Sequence, residues 1–330
     1  MPYRGDRDPS SLITAVDESS PADDALRCEI AAPVTIEEQT GPIAGTLCVP
    51  AGATRLQILI PGLTYSREYW DWPFGDRRYS YAAHQNRRGE ATLALDRLGT
   101  GVSWHPPSAM VTYEAQVSAI AQTIDQIVEH HLVPALRSIV LVGHSFGSVV
   151  AYGVATASSV VDALVVTSTG HAPHGIGVLR HAAAVAQPAN VESRFSTLDP
   201  GYLTPLPGIR AGFYNPANTD PQIIALDEQI KDVSALPEST TAPTFDSAAA
   251  VNLPVLLVVG GADPHVCMPP VLALDSSSDA AVAAYERRFF GPRATLQAAV
   301  VAKTGHNLNL EFSHAEAWAV IDSFLTALEH

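Results

Sequence analysis

Ser138-Ile139-Val140-Leu141-Val142-Gly143-His144-Ser145-Phe146-Gly147-Ser148 is the stretch whose reading decides the fold. Ser138 to Val142 is a short apolar, β-branched run of the kind found in strands buried on both faces. Phe146 to Ala157 is small and apolar, free of proline, and reads as a helix. Between them Gly143, Ser145 and Gly147 spell G-x-S-x-G, which in this setting marks a tight strand-to-helix turn. Such a turn strains the serine backbone and lifts its hydroxyl above the sheet. Glycines flank it because a Cβ there would collide with strand or helix, and Ser148 keeps the next position small. The helix start also offers free N–H groups and a positive dipole end. Ser145 is the candidate nucleophile.

Outward from this turn, short apolar runs alternate with helical patterns. Leu56 to Ile60 is strand-like and stops at Pro61-Gly62; Tyr79 to Arg88 reads as a helix ended by Gly89; Ala91 to Leu95 is the next strand. Val117, Ile120, Ile124 and Ile127 recur at helical spacing. Ala163 to Val166, Pro254 to Val259 and Thr295 to Val301 are further strands. Ser313-His314-Ala315-Glu316 reads as a capping box opening a last helix, with Ala317, Ile321, Phe324 and Leu328 as its stripe. Upstream, Arg27 to Thr35 and Ile43 to Pro50 form a hairpin whose turn is expected between Glu38 and Pro42. Pro33 suits an edge strand.

The expectation is an α/β fold: a mostly parallel central sheet of about eight strands with helices on both faces. The alternation lapses between residues 171 and 250, a stretch rich in proline in which Asp220-Pro221 opens one clear helix. A mainly helical cap inserted after the sixth strand is expected there. The plan is therefore a loose segment 1–25, a core of 26–170 and 251–327, a cap of 171–250, and a tag-like remnant at 328–330.

Asp and Glu number 34 against 19 Lys and Arg, a net charge of −15 that disfavours nucleic acid and anionic membranes as partners. The first two dozen residues lack the apolar run of a signal peptide, and no stretch has the length of a membrane span, so a cytoplasmic protein is expected. Cys28, Cys48 and Cys267 cannot build a disulfide framework, although a turn near Glu38 would let Cys28 face Cys48. No cysteine spacing suggests zinc; His171 and His174 are separated by Pro173, with no carboxylate to complete a metal set.

A serine hydroxyl needs a base. His306, in Thr304-Gly305-His306-Asn307-Leu308, falls just past the last strand, where a loop overhangs the carboxyl edge of an open sheet. An acid must then hold the imidazole tautomer. Asp263 follows a strand through Gly260-Gly261, and the segment after the preceding core strand, Thr167-Ser168-Thr169-Gly170, has no carboxylate to compete.

The order Ser145, Asp263, His306, together with Asp96-Arg97-Leu98-Gly99-Thr100-Gly101-Val102-Ser103, which matches a D-x-x-G-x-G-x-S loop, resembles the α/β-hydrolase superfamily from about Thr46 to Leu325. The resemblance implies an oxyanion hole from the backbone N–H groups of Phe146 and Leu63. Pro61-Gly62 stands where many members carry His-Gly. It also implies an acyl-enzyme and no cofactor, and a serine at the elbow argues against branches that attack with a carboxylate. Tyr65, Trp70, His144, Phe213 and Tyr214 are candidates for the substrate pocket. The expected partner is a small, uncharged, moderately apolar ester or lactone; the chain itself could form a homo-oligomer. A lyase or carbon–carbon hydrolase with the same triad, and a non-catalytic binding module, remain open on the sequence.

Overall fold

The structure, a computed structural model, describes residues 12–16, 26–171, 187–243, 248–267 and 274–329. Nine strands form one sheet in the order β1-β2-β3-β5-β4-β6-β7-β11-β12. The parallel part comprises β5 (Ala91–Leu95), β4 (Arg55–Ile60), β6 (Ser138–His144), β7 (Ala163–Thr167), β11 (Pro254–Gly260) and β12 (Thr295–Val301). β1 (Ile13–Val16), β2 (Leu26–Ile36) and β3 (Gln39–Val49) extend it by antiparallel pairing.

Because successive strand residues face opposite ways, each central strand feeds two cores. Ile139 and Leu141 of β6 join one cluster with Ile58, Ile60, Leu257 and Val259. Val140 and Val142 join the other with Leu59, Leu256 and Val258. Helices α2 (Tyr113–Glu129) and α3 (Phe146–Ala157) cover the first through Ile120, Ile124, Ile127, Val150 and Val154. Helices α1 (Tyr81–Arg87) and α7 (His314–Ala327) cover the second through Tyr81, Ala317, Ile321 and Phe324, with Leu328 only partly buried against it. This is the α/β layering expected from the sequence.

Several details differ. The sheet has nine strands because Ile13–Val16 pairs with β2 and Leu12 is buried, so the first 25 residues are not uniformly loose. The insert accordingly follows the seventh strand of the sheet, β7. Its described part is less helical than expected: a small antiparallel sheet of β8 (Gln187–Pro188), β9 (Tyr202–Thr204) and β10 (Ser234–Ala235), a 3-10 turn at Ile209–Phe213, and helices α4 (Pro221–Ile230) and α5 (Leu236–Thr240). Asp220 caps α4 with Pro221 at its start, as its sequence implies.

The β2–β3 turn sits at Glu37-Glu38, both at positive φ, so Cys28 pairs with Leu47 and Cys48 with Arg27. The one-residue difference turns the two thiols to opposite faces; both are buried and neither is in a disulfide. Pro33 lies beyond the reach of β1 and its carbonyl accepts from Gln126, which accommodates proline there. Ser313 does not cap α7; its hydroxyl meets Thr304 Oγ1 at 2.6 Å and Asn218 Nδ2 at 2.7 Å. Glu329, in the stretch read as a remnant, forms an ion pair with Arg55 at 3.2 Å. No helix among the described residues is long and apolar enough to cross a membrane.

Candidate active site

Ser145 sits between β6 and α3 with φ 53° and ψ −122°, a conformation that a non-glycine residue holds only under constraint. The constraint is visible in its neighbours. A Cβ on Gly143 would lie 2.5 Å from Ser148 Cα, and one on Gly147 would lie 2.3 Å from Ile60 O and 2.6 Å from Pro61 O. Ser148 is fully buried, and its hydroxyl accepts from Thr167 N–H at 3.2 Å. The Ser145 side of the turn stays partly exposed.

Asp263, fully buried after β11, uses its two oxygens separately. Oδ1 accepts from the N–H groups of His265 (2.8 Å) and Val266 (3.3 Å), while Oδ2 lies 2.9 Å from His306 Nδ1. An ionised carboxylate has only acceptors, so Nδ1 carries the proton and Nε2 presents its lone pair. Close approach of β11 to the histidine loop requires Gly260, whose Cβ would fall 2.2 Å from Gly305 O.

Ser145 and His306 hang from adjacent residues at the end of β7. Ser145 N–H donates to Thr167 O at 2.8 Å, and Ser168 Oγ donates to His306 O at 2.5 Å. The insert holds the imidazole from the other side: His306 N–H donates to Phe213 O at 2.8 Å, and the Phe213 ring stands 5.6 Å from the imidazole. Buried Glu311 accepts from Gly305 N–H at 2.9 Å and from Asn215 N–H at 3.0 Å, fixing the loop before His306. Three residues distant in the chain are thus gathered at the carboxyl edge of the sheet.

His144 and Trp70 are shut away from solvent. Both are fully buried: His144 stacks on Tyr69 at 4.1 Å, and Trp70 packs edge-on against Tyr69 and Tyr81. Burial holds the basicity of His144 well below that of a free histidine, and the nearby His306 and Arg210 press it further, so it stays neutral. Tyr65 and Tyr214 both donate to Asp227 Oδ2 of α4, at 2.9 and 2.7 Å. Tyr65 thereby ties the insert to the core, while the Tyr214 bond lies within the insert; of the five pocket candidates, His144 and Phe213 stand against His306, with ring centroids 5.0 and 5.6 Å from it. His171 reaches Glu286 through Nδ1 at 2.6 Å, and His174 lies outside the described residues. Among the described residues no group of three or more His, Cys, Asp or Glu is placed to hold a metal.

The sequence reading missed a set of buried charges around the loop 61–64. Arg97 pairs with Glu238, and Arg210 pairs with Asp227 at 3.5 Å. Arg97 stands inside the Asp96 to Ser103 motif and was open to notice; Arg210 and Asp227 carry no local signal. The motif itself is explained by Asp96, whose Oδ1 accepts from Arg67 N–H and Oδ2 from Val102 N–H, at 2.8 and 3.1 Å. A Cβ on Gly101 would strike that carboxyl at 2.2 Å, and Ser103 Oγ donates to Asp96 O at 2.7 Å.

Residues 57–320 match the alpha/beta hydrolase family, and the chain belongs to it. Solved structures give the same fold. The esterase from Exiguobacterium antarcticum superposes with a TM-score of 0.63 at 14% identity, covering 90% of this chain and 100% of that one. The carboxylesterase from Bacillus subtilis does so with 0.54 at 19%, covering 90% and 91%. A 2-hydroxy-6-oxo-6-phenylhexa-2,4-dienoate hydrolase from Rhodococcus sp. strain RHA1 gives 0.54 at 15%, covering 90% and 99%. At these identities the likeness is one of fold. A comparison of the sequence with curated proteins finds no match.

Proposed function

We propose that the protein is a serine hydrolase that cleaves a carboxylic ester or lactone of an uncharged, moderately apolar small molecule. The observation that carries this reading is the Asp263–His306 pair at 2.9 Å, on the same edge of the sheet as a serine in a strained strand-to-helix turn, with the serine and histidine backbones both hydrogen-bonded to the end of β7. Ser145 Oγ attacks the carbonyl carbon while His306 Nε2 takes its proton. The oxyanion lies against the N–H groups of Leu63 and Phe146; neither finds an acceptor among the described residues. His306 then protonates the leaving oxygen, and the acyl-enzyme is released by water that His306 deprotonates. Asp263 stays ionised and stabilises the imidazolium.

An uncharged substrate is supported by the state of the nearby charges. Arg97 and Arg210 are buried and already paired, and His144 is neutral, so no free cation stands among these residues to bind an anionic group. Phe213 beside His306 supplies an apolar wall.

Labelling with a fluorophosphonate, with Ser145→Ala as the comparison, tests the proposal. Labelling of the native protein and its loss in Ser145→Ala is expected. A label retained by Ser145→Ala would reject Ser145 as the nucleophile.

A further inference from the structure

The loop 61–64 lies between β4 and the serine, and a Cβ on Gly62 would approach Ser145 Cβ to 3.2 Å. Each of its four carbonyls is occupied. Arg97 Nε donates to Pro61 O at 3.0 Å and Arg97 Nη2 to Gly62 O at 3.2 Å. Thr64 Oγ1 donates to Leu63 O at 2.6 Å. Thr64 O accepts from Asp232 N–H at 2.9 Å and from Arg210 Nη2. Thr64 itself is held at φ 60°.

The groups that do this are tied to the insert. Arg97, fully buried, places its third nitrogen on Glu238 of α5. Glu238 also accepts from Gln116 Nε2 at 2.7 Å and from Ala235 N–H at 3.0 Å, so its position is fixed by both core and insert. Arg210 and Asp232 belong to the insert outright. The Arg97 guanidinium stands 5.5 Å from the Phe146 ring, next to the other proposed oxyanion donor.

In a trans peptide the N–H points opposite to the C=O, and the described residues include no cis bond. A guanidinium that fixes Gly62 O therefore also fixes the direction of the Leu63 N–H, which belongs to the same peptide plane. We infer that Arg97, braced by Glu238 of the insert, is the positioning residue that aims the Leu63 N–H at the developing oxyanion, so that correct seating of the insert and a competent oxyanion hole are the same condition. The inference rests on the serine-hydrolase reading above. Arg97 touches no reacting atom; it acts through one peptide plane.

The consequence is specific. Loosening Arg97 leaves the pocket walls and the Asp263–His306 pair in place and degrades an interaction made only with the tetrahedral species. A loss of that kind lowers kcat with KM unchanged. Glu238→Gln keeps the size of the side chain and removes the charge that braces the guanidinium. Arg97→Lys keeps the charge, and a single ammonium cannot reproduce the fork that serves Pro61 O, Gly62 O and Glu238 together.

The test uses the full chain, p-nitrophenyl butyrate turnover, and inhibition by butaneboronic acid. In that inhibition Ser145 Oγ bonds to boron, its proton passes to His306, and one boron-bound oxygen takes the oxyanion position. For Glu238→Gln and Arg97→Lys the expected result is a fall in kcat of about ten- to a hundredfold, somewhat less than deletion of a whole oxyanion donor, KM within about twofold, and boronate affinity falling in parallel with kcat. A merely structural role would lower the amount of folded protein and leave the boronate affinity of the folded fraction unchanged. Folded Glu238→Gln with native kcat and native boronate affinity refutes the inference, and so does a loss that appears in KM alone. Should Arg97→Lys not fold, Glu238→Gln carries the decision. Turnover that survives Ser145→Ala would overturn the underlying serine reading, whereas turnover lost in Ser145→Ala and intact in both other variants overturns only the role of Arg97.

Discussion

Gly147→Ala adds one methyl group to the first turn of α3, and the structure specifies where that methyl goes. It would lie 2.3 Å from Ile60 O, 2.6 Å from Pro61 O and 2.9 Å from Ile60 C. These are backbone atoms at the end of β4, so no side-chain rotation relieves the contact. Bringing the nearest one out to 3.0 Å requires the start of α3 and the end of β4 to part by at least about 0.7 Å. Such overpacking costs about 1–3 kcal/mol of stability. The movement falls between the N–H of Phe146 and the loop bearing Leu63, and a displacement near 1 Å at a reacting centre costs about a hundredfold in rate. Urea unfolding followed by circular dichroism and kcat/KM on p-nitrophenyl butyrate measure the two effects. Gly212→Ala is the control, because a Cβ there meets nothing within 4 Å. Gly147→Ala with the stability and turnover of Gly212→Ala would show that the elbow is not packed as described.

Other outcomes follow from the same geometry. Asp263→Asn, which can donate to His306 Nδ1 and reverse its tautomer, should lower kcat by about 10³- to 10⁴-fold with little change in KM; turnover within tenfold of native would count against the pairing. Asp227→Ala strands the buried Arg210 guanidinium and two tyrosine hydroxyls, and should destabilise by about 3–5 kcal/mol in urea melts, where a change below about 1 kcal/mol would contradict it. Asp96 has its carboxyl pushed up to about 6, chiefly by burial and against the pull of Arg67. Its raised folded value makes the native state bind the proton more tightly than the unfolded chain does. The stability it contributes is therefore present below about pH 4 and is lost as pH rises through about 6. The unfolding free energy of the native protein minus that of Asp96→Asn should fall by roughly 2 kcal/mol from pH 4 to pH 7; a flat or rising difference would be inconsistent with that burial.

The family and the three residues gathered at the sheet edge were legible in the chain because they rest on local patterns. A buried strand, a glycine-bracketed serine and a helix start are contiguous, and Asp263 and His306 each follow directly on a strand. Hydrophobic alternation reports burial of a strand, and turn chemistry reports its end, without reference to the rest of the molecule. The order of these segments then placed them on one edge, because parallel strands present their carboxyl ends together.

What the chain did not reveal depends on pairings between distant segments. The register of β2 on β3 is set by which two residues occupy the turn, and a shift of one residue moved Cys28 and Cys48 to opposite faces. Ser313 has the sequence of a cap, but Thr304 and Asn218 claim its hydroxyl. Trp70 and His144 look like pocket residues by adjacency and are packed beneath the site. The buried pair Arg97–Glu238 exists only because the insert folds back on the loop after β4, and Arg210 meets Asp227 only through the fold of the insert itself. A buried charge needs partners that meet it, an opposite charge or hydrogen-bonding groups, and no pattern along a single stretch of chain states where those partners will be.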